Sequence, residues 1–360
     1  MPSFISSSDR SMSRDRQTKV ILLGLVSGLL LIAAAENYIR FKGGESDVRD
    51  TAELWASQRA RASSIGDNAL ILVGSSRIQL DLDLDILAAS TGKRPVQLAI
   101  DGSPFIDVLE NLANDRNLAG TVLVSTTLPK LAAGGNTQRV KKWINIYEKE
   151  YKNLWFPQKE QILKAKLQSV SALYANILPL DKLVPRLLEP EKLAKIYLKT
   201  LPSRERNADY SLVKMPDFYL QRVGRNLGYP LPSEAYESYE SYQSSVIRIA
   251  MENHKEFNTD PRRFNRINSA IKKLQKRGVV VVVARLPMSG LVEDIADIRF
   301  PKDLWDKVVS DLDVISIDYR DYAQLAYQLP DGSHLDITQK PDFTHKFSEV
   351  LMQEINPDHS

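Results

Sequence analysis

The 360-residue chain is 43% hydrophobic and 26% charged, the balance of a globular protein long enough for one large or two ordinary domains. Its net charge of +3, from 48 basic and 45 acidic residues, comes without a basic stripe interleaved with aromatics, so nucleic acid is not an expected partner. The chain has no cysteine, which excludes zinc–thiolate sites, disulfides and thiol catalysis and leaves four histidines as imidazole candidates.

The first distinctive element is VILLGLVSGLLLIAAA, residues 20–35, preceded by Arg10, Arg14, Arg16 and Lys19. A stretch apolar on every side has no polar face to present to water, so a membrane segment is expected rather than a globular helix. Extending it to Ile39 takes in Glu36 and Asn37 and reaches the roughly 20 residues needed to cross a bilayer. Two fates fit: a retained signal anchor over 20–39, with 1–19 in the cytoplasm, or a signal peptide cleaved near Ala33-Ala34-Ala35. The retained anchor is the preferred reading, and either fate puts the remaining chain outside the cytoplasm. Residues 40–66 read as a polar, partly helical connector.

A strand–helix alternation follows. ALILVG (69–74) is a short apolar run expected to be a buried strand, LDLDILAAS (82–90) a helix with Gly92 just beyond it, and PVQLAI (95–100) a second strand. SPFIDVLENLAND (103–115) reads as a helix opened by Ser-Pro, and GTVLVST (120–126) as a third strand. From Leu128 to Asp260 the strand pattern stops. That segment is rich in Lys, Leu and Tyr, is broken by eight prolines from Pro157 to Pro232, and is expected to be a helical insertion or cap. A helix at 261–276 leads into GVVVVVARLP (278–287), whose five valines demand a strand; a helix at 301–312, a strand at 314–318 and a closing helix at 343–355 complete the chain. The expected fold is α/β, a flavodoxin-like parallel sheet flanked by helices, formed by residues 67–127 and 261–357 with 128–260 inserted.

In an open parallel sheet, ligands collect beyond the carboxyl ends of the strands. Three ends stand out: Gly74-Ser75-Ser76-Arg77, Asp101-Gly102-Ser103 and Ser125-Thr126-Thr127. Before the last helix stands LPDGSHLD, in which Asp331 and His334 are spaced so that the carboxylate can hold one imidazole nitrogen while the other faces outward. Serine, histidine and an orienting carboxylate form the set needed for nucleophilic acyl transfer. Arg77 and Arg285 each follow a strand, where they would bind a substrate carboxylate or phosphate or else form surface ion pairs. Tyr236, Tyr239 and Tyr242 share a helix face and suit packing better than sugar stacking; Asp81, Asp83 and Asp85 look like a solvated edge. His254, His345 and His359 sit in helical or tail contexts. No metal cluster, P-loop or dinucleotide fingerprint is present, and no cofactor is expected.

Gly74-Ser75-Ser76, Gly102 and Asp331-Gly332-Ser333-His334, in that order, resemble the blocks of the SGNH/GDSL hydrolase superfamily. The resemblance covers the α/β portions, about 65–127 and 261–357. It is nearest to the membrane-anchored, exported branch that includes the teichoic-acid D-alanylation and alginate O-acetylation proteins. It implies Ser76 as nucleophile, His334 as base and Asp331 as its orienting partner, with an oxyanion hole from the amides at Ser76 and Gly102. Two departures are visible: Ser75 stands where the best-known block has aspartate, and the third block reads STTLP without its asparagine, leaving Thr126 or Thr127 as hydroxyl substitutes. By this resemblance the chain would be an esterase or O-acyltransferase acting on acyl esters of an envelope or extracellular glycan, with a membrane-bound acyltransferase as a possible partner. A catalytically silent scaffold that binds glycan or such an acyltransferase is the second expectation, and a flavodoxin-like module without acyl chemistry the third.

Overall fold

The computed structural model describes residues 14–132, 137–152, 154–175, 195–215, 219, 238–252 and 260–356. It divides into two compact units, one of residues 1–46 with 170–195 and one of 47–169 with 196–360.

The first unit is built on helix α1 (Arg14–Phe41), whose most apolar window has a mean hydropathy of 2.2 and contains no buried residue. At about 1.5 Å per residue its 28 residues span about 42 Å, more than a hydrocarbon core. The helix is long and apolar enough to cross a membrane. Near its end, Glu36 accepts from the Ser171 hydroxyl and the amides of Ala172 and Leu173 at 2.8–2.9 Å. Those are the orphan donors of a single helical turn, α9 (Ala172–Ala175). Arg40 joins the clasp, with Nε donating to Glu36 at 2.6 Å and Nη2 to the Val170 carbonyl at 2.8 Å.

The second unit holds a five-stranded, wholly parallel sheet: β1 (Ala69–Val73), β2 (Arg94–Gln97), β3 (Thr121–Ser125), β6 (Val280–Arg285) and β7 (Ile315–Asp318), in the order β2-β1-β3-β6-β7. Side chains alternate across a strand, and both faces of this sheet are covered, so the central strands read as unbroken apolar runs. Ile71 and Val73 point into one core with Val122, Val124, Val281 and Val283. Leu70 and Leu72 point into the other with Leu123, Val282 and Ala284. The first face is covered by α2 (Ala52–Ile65), α5 (Ile106–Ala113), α7 (Gln138–Ile146), α11 (Pro261–Gln275) and α13 (Lys302–Leu312). The second is covered by α3 (Ser76–Leu80), α4 (Leu84–Thr91) and α14 (Lys340–Ile355), with α12 (Gly290–Arg299) packed at its rim.

Several expectations need correction. The connector reading of 40–66 misses that α2 is a core helix: Trp55 is fully buried and its indole donates to the Leu98 carbonyl at 2.9 Å. Asp81 is not a solvated edge residue but has no exposed surface, whereas Asp83 caps α4 by accepting from the amides of Asp85 and Ile86. The helix expected at 103–115 starts only at Ile106, because Ser103 closes a turn onto Ile100 instead of capping. Residues 128–260 hold α6 (Leu128–Ala132), α7, α8 (Trp155–Val170), α9 and α10 (Tyr239–Glu252), but also an antiparallel hairpin of β4 (Leu198–Thr200) and β5 (Arg206–Ala208).

That hairpin steadies the sheet's carboxyl edge. Buried Arg204 donates to the carbonyls of Gln97 and Ala99 at 2.8 and 3.0 Å and forks onto Asp50 at 2.6 and 2.9 Å. Lys340, at the start of α14, donates to Glu205 at 2.5 Å, and burial lowers its pKa while raising that of Glu205. At the end of β5 the Ala208 carbonyl accepts from the Ile337 amide, and just beyond it the Tyr210 amide donates to Asp336, holding the loop that enters α14.

Candidate active site

The sheet order reverses between β1 and β3, and the crevice beyond the carboxyl ends at such a point is where open α/β sheets bind ligands. Gly74 ends β1 there. A Cβ on it would lie 2.6 Å from the Ser125 carbonyl at the end of β3, so only glycine allows the two strand ends to close up. Ser75 precedes α3, and Ser76 is its first residue, with an amide beyond the reach of intrahelical bonding. The helix is pinned from both sides: Gln79 donates to the Ala99 carbonyl at 3.2 Å, and Gln97 donates to the Ile78 carbonyl at 2.9 Å. The Ser76 hydroxyl is therefore held on a short rigid element rather than a free loop.

Asp331 and His334 come from the loop before α14. Asp331 is wholly buried and both of its oxygens are bonded: Oδ1 takes the amides of Ser333 and His334 at 3.0 and 2.8 Å, and Oδ2 faces His334 Nδ1 at 2.9 Å. A carboxylate only accepts, so Nδ1 carries the ring proton and Nε2 presents a lone pair. Nε2 lies 2.9 Å from Ser76 Oγ, which donates to it. Three side chains expected to meet, separated by 258 residues in the chain, thus form a continuous hydroxyl–imidazole–carboxylate relay. Asp81 and Arg77 brace its loop. Asp81 Oδ1 accepts from the Leu335 amide at 3.0 Å, and Arg77 donates to the carbonyl and hydroxyl of Ser333 at 3.3 and 3.4 Å.

A cavity of about 520 Å³ opens over Ser76 and is lined by all three strand ends. Gly102 lies on its wall with φ +65°, the left-handed position of the turn closed from Ser103 to Ile100, and its amide makes no hydrogen bond among the described residues. Thr126 also lines the wall, but its amide is committed to the Ala284 carbonyl at 3.0 Å, so it offers only a hydroxyl. Lys130, two residues into α6, was missed from sequence. Its Nζ donates to the Ser75 hydroxyl and lines the cavity beside Ser76. Burial, then the nearby Arg77 charge, push its pKa down to about 8. Lys130 follows the third strand end at a distance no short motif encodes.

Arg77 lines the cavity, although its hydrogen bonds go to the Ser333 loop, and burial lowers its pKa. Arg285 is 3% exposed and splits between the two readings made of it. It faces Asp297 at 3.5 Å and Asp318 at 3.9 Å, yet lines the cavity with its Nε unpartnered. Arg299 on α12 was not anticipated; it lines the cavity and makes no hydrogen bond or ion pair among the described residues. Against these cations the cavity has, among the described residues, one carboxylate, Asp101, already paired to Arg206 at 3.0 Å.

His345 meets Ser90 at 3.3 Å on an exposed helix face, while His254 and His359 lie outside the described residues. Tyr242 is buried against Leu291 and Ile295, a packing role; Tyr236 lies outside the described residues. Among the described residues no group of three or more His, Asp or Glu side chains is placed to hold a metal ion. No family model matches the chain, and no curated protein matches it.

Proposed function

We propose that the chain is a membrane-anchored serine esterase or O-acyltransferase of the SGNH-like kind, its flavodoxin-like domain carrying 128–260 as an insertion and lying outside the cytoplasm. Its substrate would be an acyl ester on an envelope or extracellular glycan. The observation that carries this reading is the Ser76–His334–Asp331 relay, each link at 2.9 Å. That is the hydrogen-bond reach required for proton transfer between a nucleophile, its base and an orienting carboxylate.

In this mechanism Ser76 Oγ attacks the acyl carbon as its proton passes to His334 Nε2. Asp331 keeps Nδ1 protonated and stabilises the imidazolium without taking the proton. The carbonyl oxygen becomes an oxyanion facing the amides of Ser76 and Gly102 and the ammonium of Lys130, which takes the place of the asparagine missing from the third strand end. Collapse breaks the ester bond, and the leaving alcohol takes the proton from Nε2. Attack on the acyl-serine by water gives deacylation; attack by a sugar hydroxyl gives transfer, with His334 again the base. The surplus of Arg77, Arg285, Arg299 and Lys130 around the cavity suits an acidic glycan. A membrane-bound acyltransferase would be the natural donor partner for the transfer reaction.

The second reading is a silent scaffold that binds glycan or that acyltransferase. It is favoured by the Thr126 amide, which is spent on Ala284 and lost to any oxyanion hole. A fluorophosphonate probe on the full chain in detergent decides between them: labelling that disappears in Ser76→Ala is expected. Absence of both labelling and turnover of acetylated polysaccharide would leave the scaffold.

A further inference from the structure

Helix α8 carries a stripe that its own domain does not cover. Leu154, Phe156, Leu163, Leu167 and Val170 are five of the nine large apolar side chains exposed outside α1 among the described residues. At 3.6 residues per turn, Phe156, Leu163, Leu167 and Val170 fall within about 60° of arc. The opposite side of α8 is the packed one: Ala165 is buried with Val48 and Leu54, and Gln168 accepts from the Arg49 amide at 3.3 Å. Exposed Lys159, Lys164 and Lys166 flank the stripe against a single acid, Glu160. Narrow apolar stripes with lysine borders are the pattern of helices that lie in a membrane interface with anionic headgroups.

The chain also brings a membrane within reach. Val170, the last residue of α8, belongs to the compact unit of α1, and its carbonyl accepts from Arg40 at 2.8 Å. Arg40 follows the apolar span by a few residues, where basic side chains sit at headgroup level. At about 1.5 Å per residue, Leu167 and Leu163 cannot be more than about 5 and 10 Å further along the helix. Whatever direction α8 takes from Val170, half of its stripe stays beside the lipid–water boundary. We infer that α8 is an interfacial helix, its Phe156–Leu163–Leu167–Val170 stripe inserted among the acyl chains and its lysines on anionic headgroups. This inference rests on α1 spanning the bilayer and is independent of the acyl chemistry.

The absence of cysteine makes the test direct. Single cysteines at Leu163, Leu167, Ser27 within α1 and exposed Ser310 are labelled with a fluorophore in the full chain. The labelled proteins are then reconstituted in vesicles of mixed phosphatidylcholine and phosphatidylglycerol. Brominated lipid is expected to quench the Leu163 and Leu167 labels nearly as well as Ser27, and iodide to quench only Ser310. Lys159→Gln, Lys164→Gln and Lys166→Gln together should reduce lipid quenching at Leu163. Labels at Leu163 and Leu167 as open to iodide as Ser310 would overturn the proposal. Labels shielded from both quenchers would overturn it in favour of a protein partner or second copy, and an unquenched Ser27 would remove the bilayer and the proposal together.

Discussion

The two walls of the cavity over Ser76 are built on opposite principles. On the wall formed by the loop before α14, the carboxylate that faces the imidazole is held on both oxygens: Asp331 alone accepts two amides and an imidazole. On the wall formed by the ends of β2 and β3, donors stand unspent, with the Gly102 amide free among the described residues and Lys130 resting only on a serine hydroxyl. A base must be held in one tautomer and orientation before reaction, which needs saturated hydrogen bonding. An oxyanion exists only during reaction, so its donors must wait without a strong partner, at some cost in stability. On the proposed chemistry, the difference separates what would orient the reactants from what would receive charge.

The saturated wall should break most sharply. Asp331→Asn keeps the shape but replaces one acceptor oxygen with a donor, so the imidazole loses its tautomer. A fall in kcat of about 10⁴-fold is expected, with KM little changed, in steady-state ester hydrolysis. A loss below about tenfold would mean that the relay does not carry the reaction.

The waiting wall should fail more gently and with a different signature. Lys130→Met should lower kcat about 100- to 1000-fold, the usual cost of one oxyanion donor. Because burial holds the Lys130 pKa at about 8, the proposed activity of the parent chain should fall as pH rises through that value, when the ammonium gives up its proton. The variant should lack this alkaline limb. An unchanged limb in Lys130→Met would assign the titration elsewhere and remove Lys130 from the reaction.

A smaller effect sharpens the comparison behind the saturated wall, at the carboxylate that braces its loop. Asp81 shares the burial of Asp331 but has only one satisfied oxygen, and burial pushes its pKa up to about 8 despite the Leu335 amide and Arg77. With the folded pKa above the unfolded value, the folded chain holds more protons between about pH 4 and 8. The stability Asp81 contributes is therefore greatest at the acid end and is lost as pH rises through about 8, by on the order of a few kcal/mol. Asp81→Asn, which keeps an acceptor for Leu335, should flatten that slope in denaturant titrations across the range. Parallel curves for parent and variant would show that Asp81 is charged throughout.

The sheet strands and the covering helices were legible because burial on both faces writes apolar runs of strand length, as in ALILV and VVVVAR, between amphipathic helical stretches. Ser76, Asp331 and His334 were legible because they sit in turns whose Gly-Ser and Asp-Gly chemistry is local. Helix α2 was misread as a connector since its buried face includes Arg59, whose guanidinium finds Asn111 and Asp115 only in the fold. The short strands β4 and β5 left no signal because their stability comes from Arg204 and Lys340 reaching other elements.

From the order of its residues alone this chain determines an apolar N-terminal helix, an alternating α/β layout and the set of side chains proposed for acyl chemistry, since each depends on neighbours within a few positions. Only tertiary structure brought a hydroxyl to within 2.9 Å of an imidazole 258 residues away, set Lys130 against Ser75 and buried Asp81. Those outcomes depend on strand order and close packing across the sheet, distances that a linear spacing does not carry.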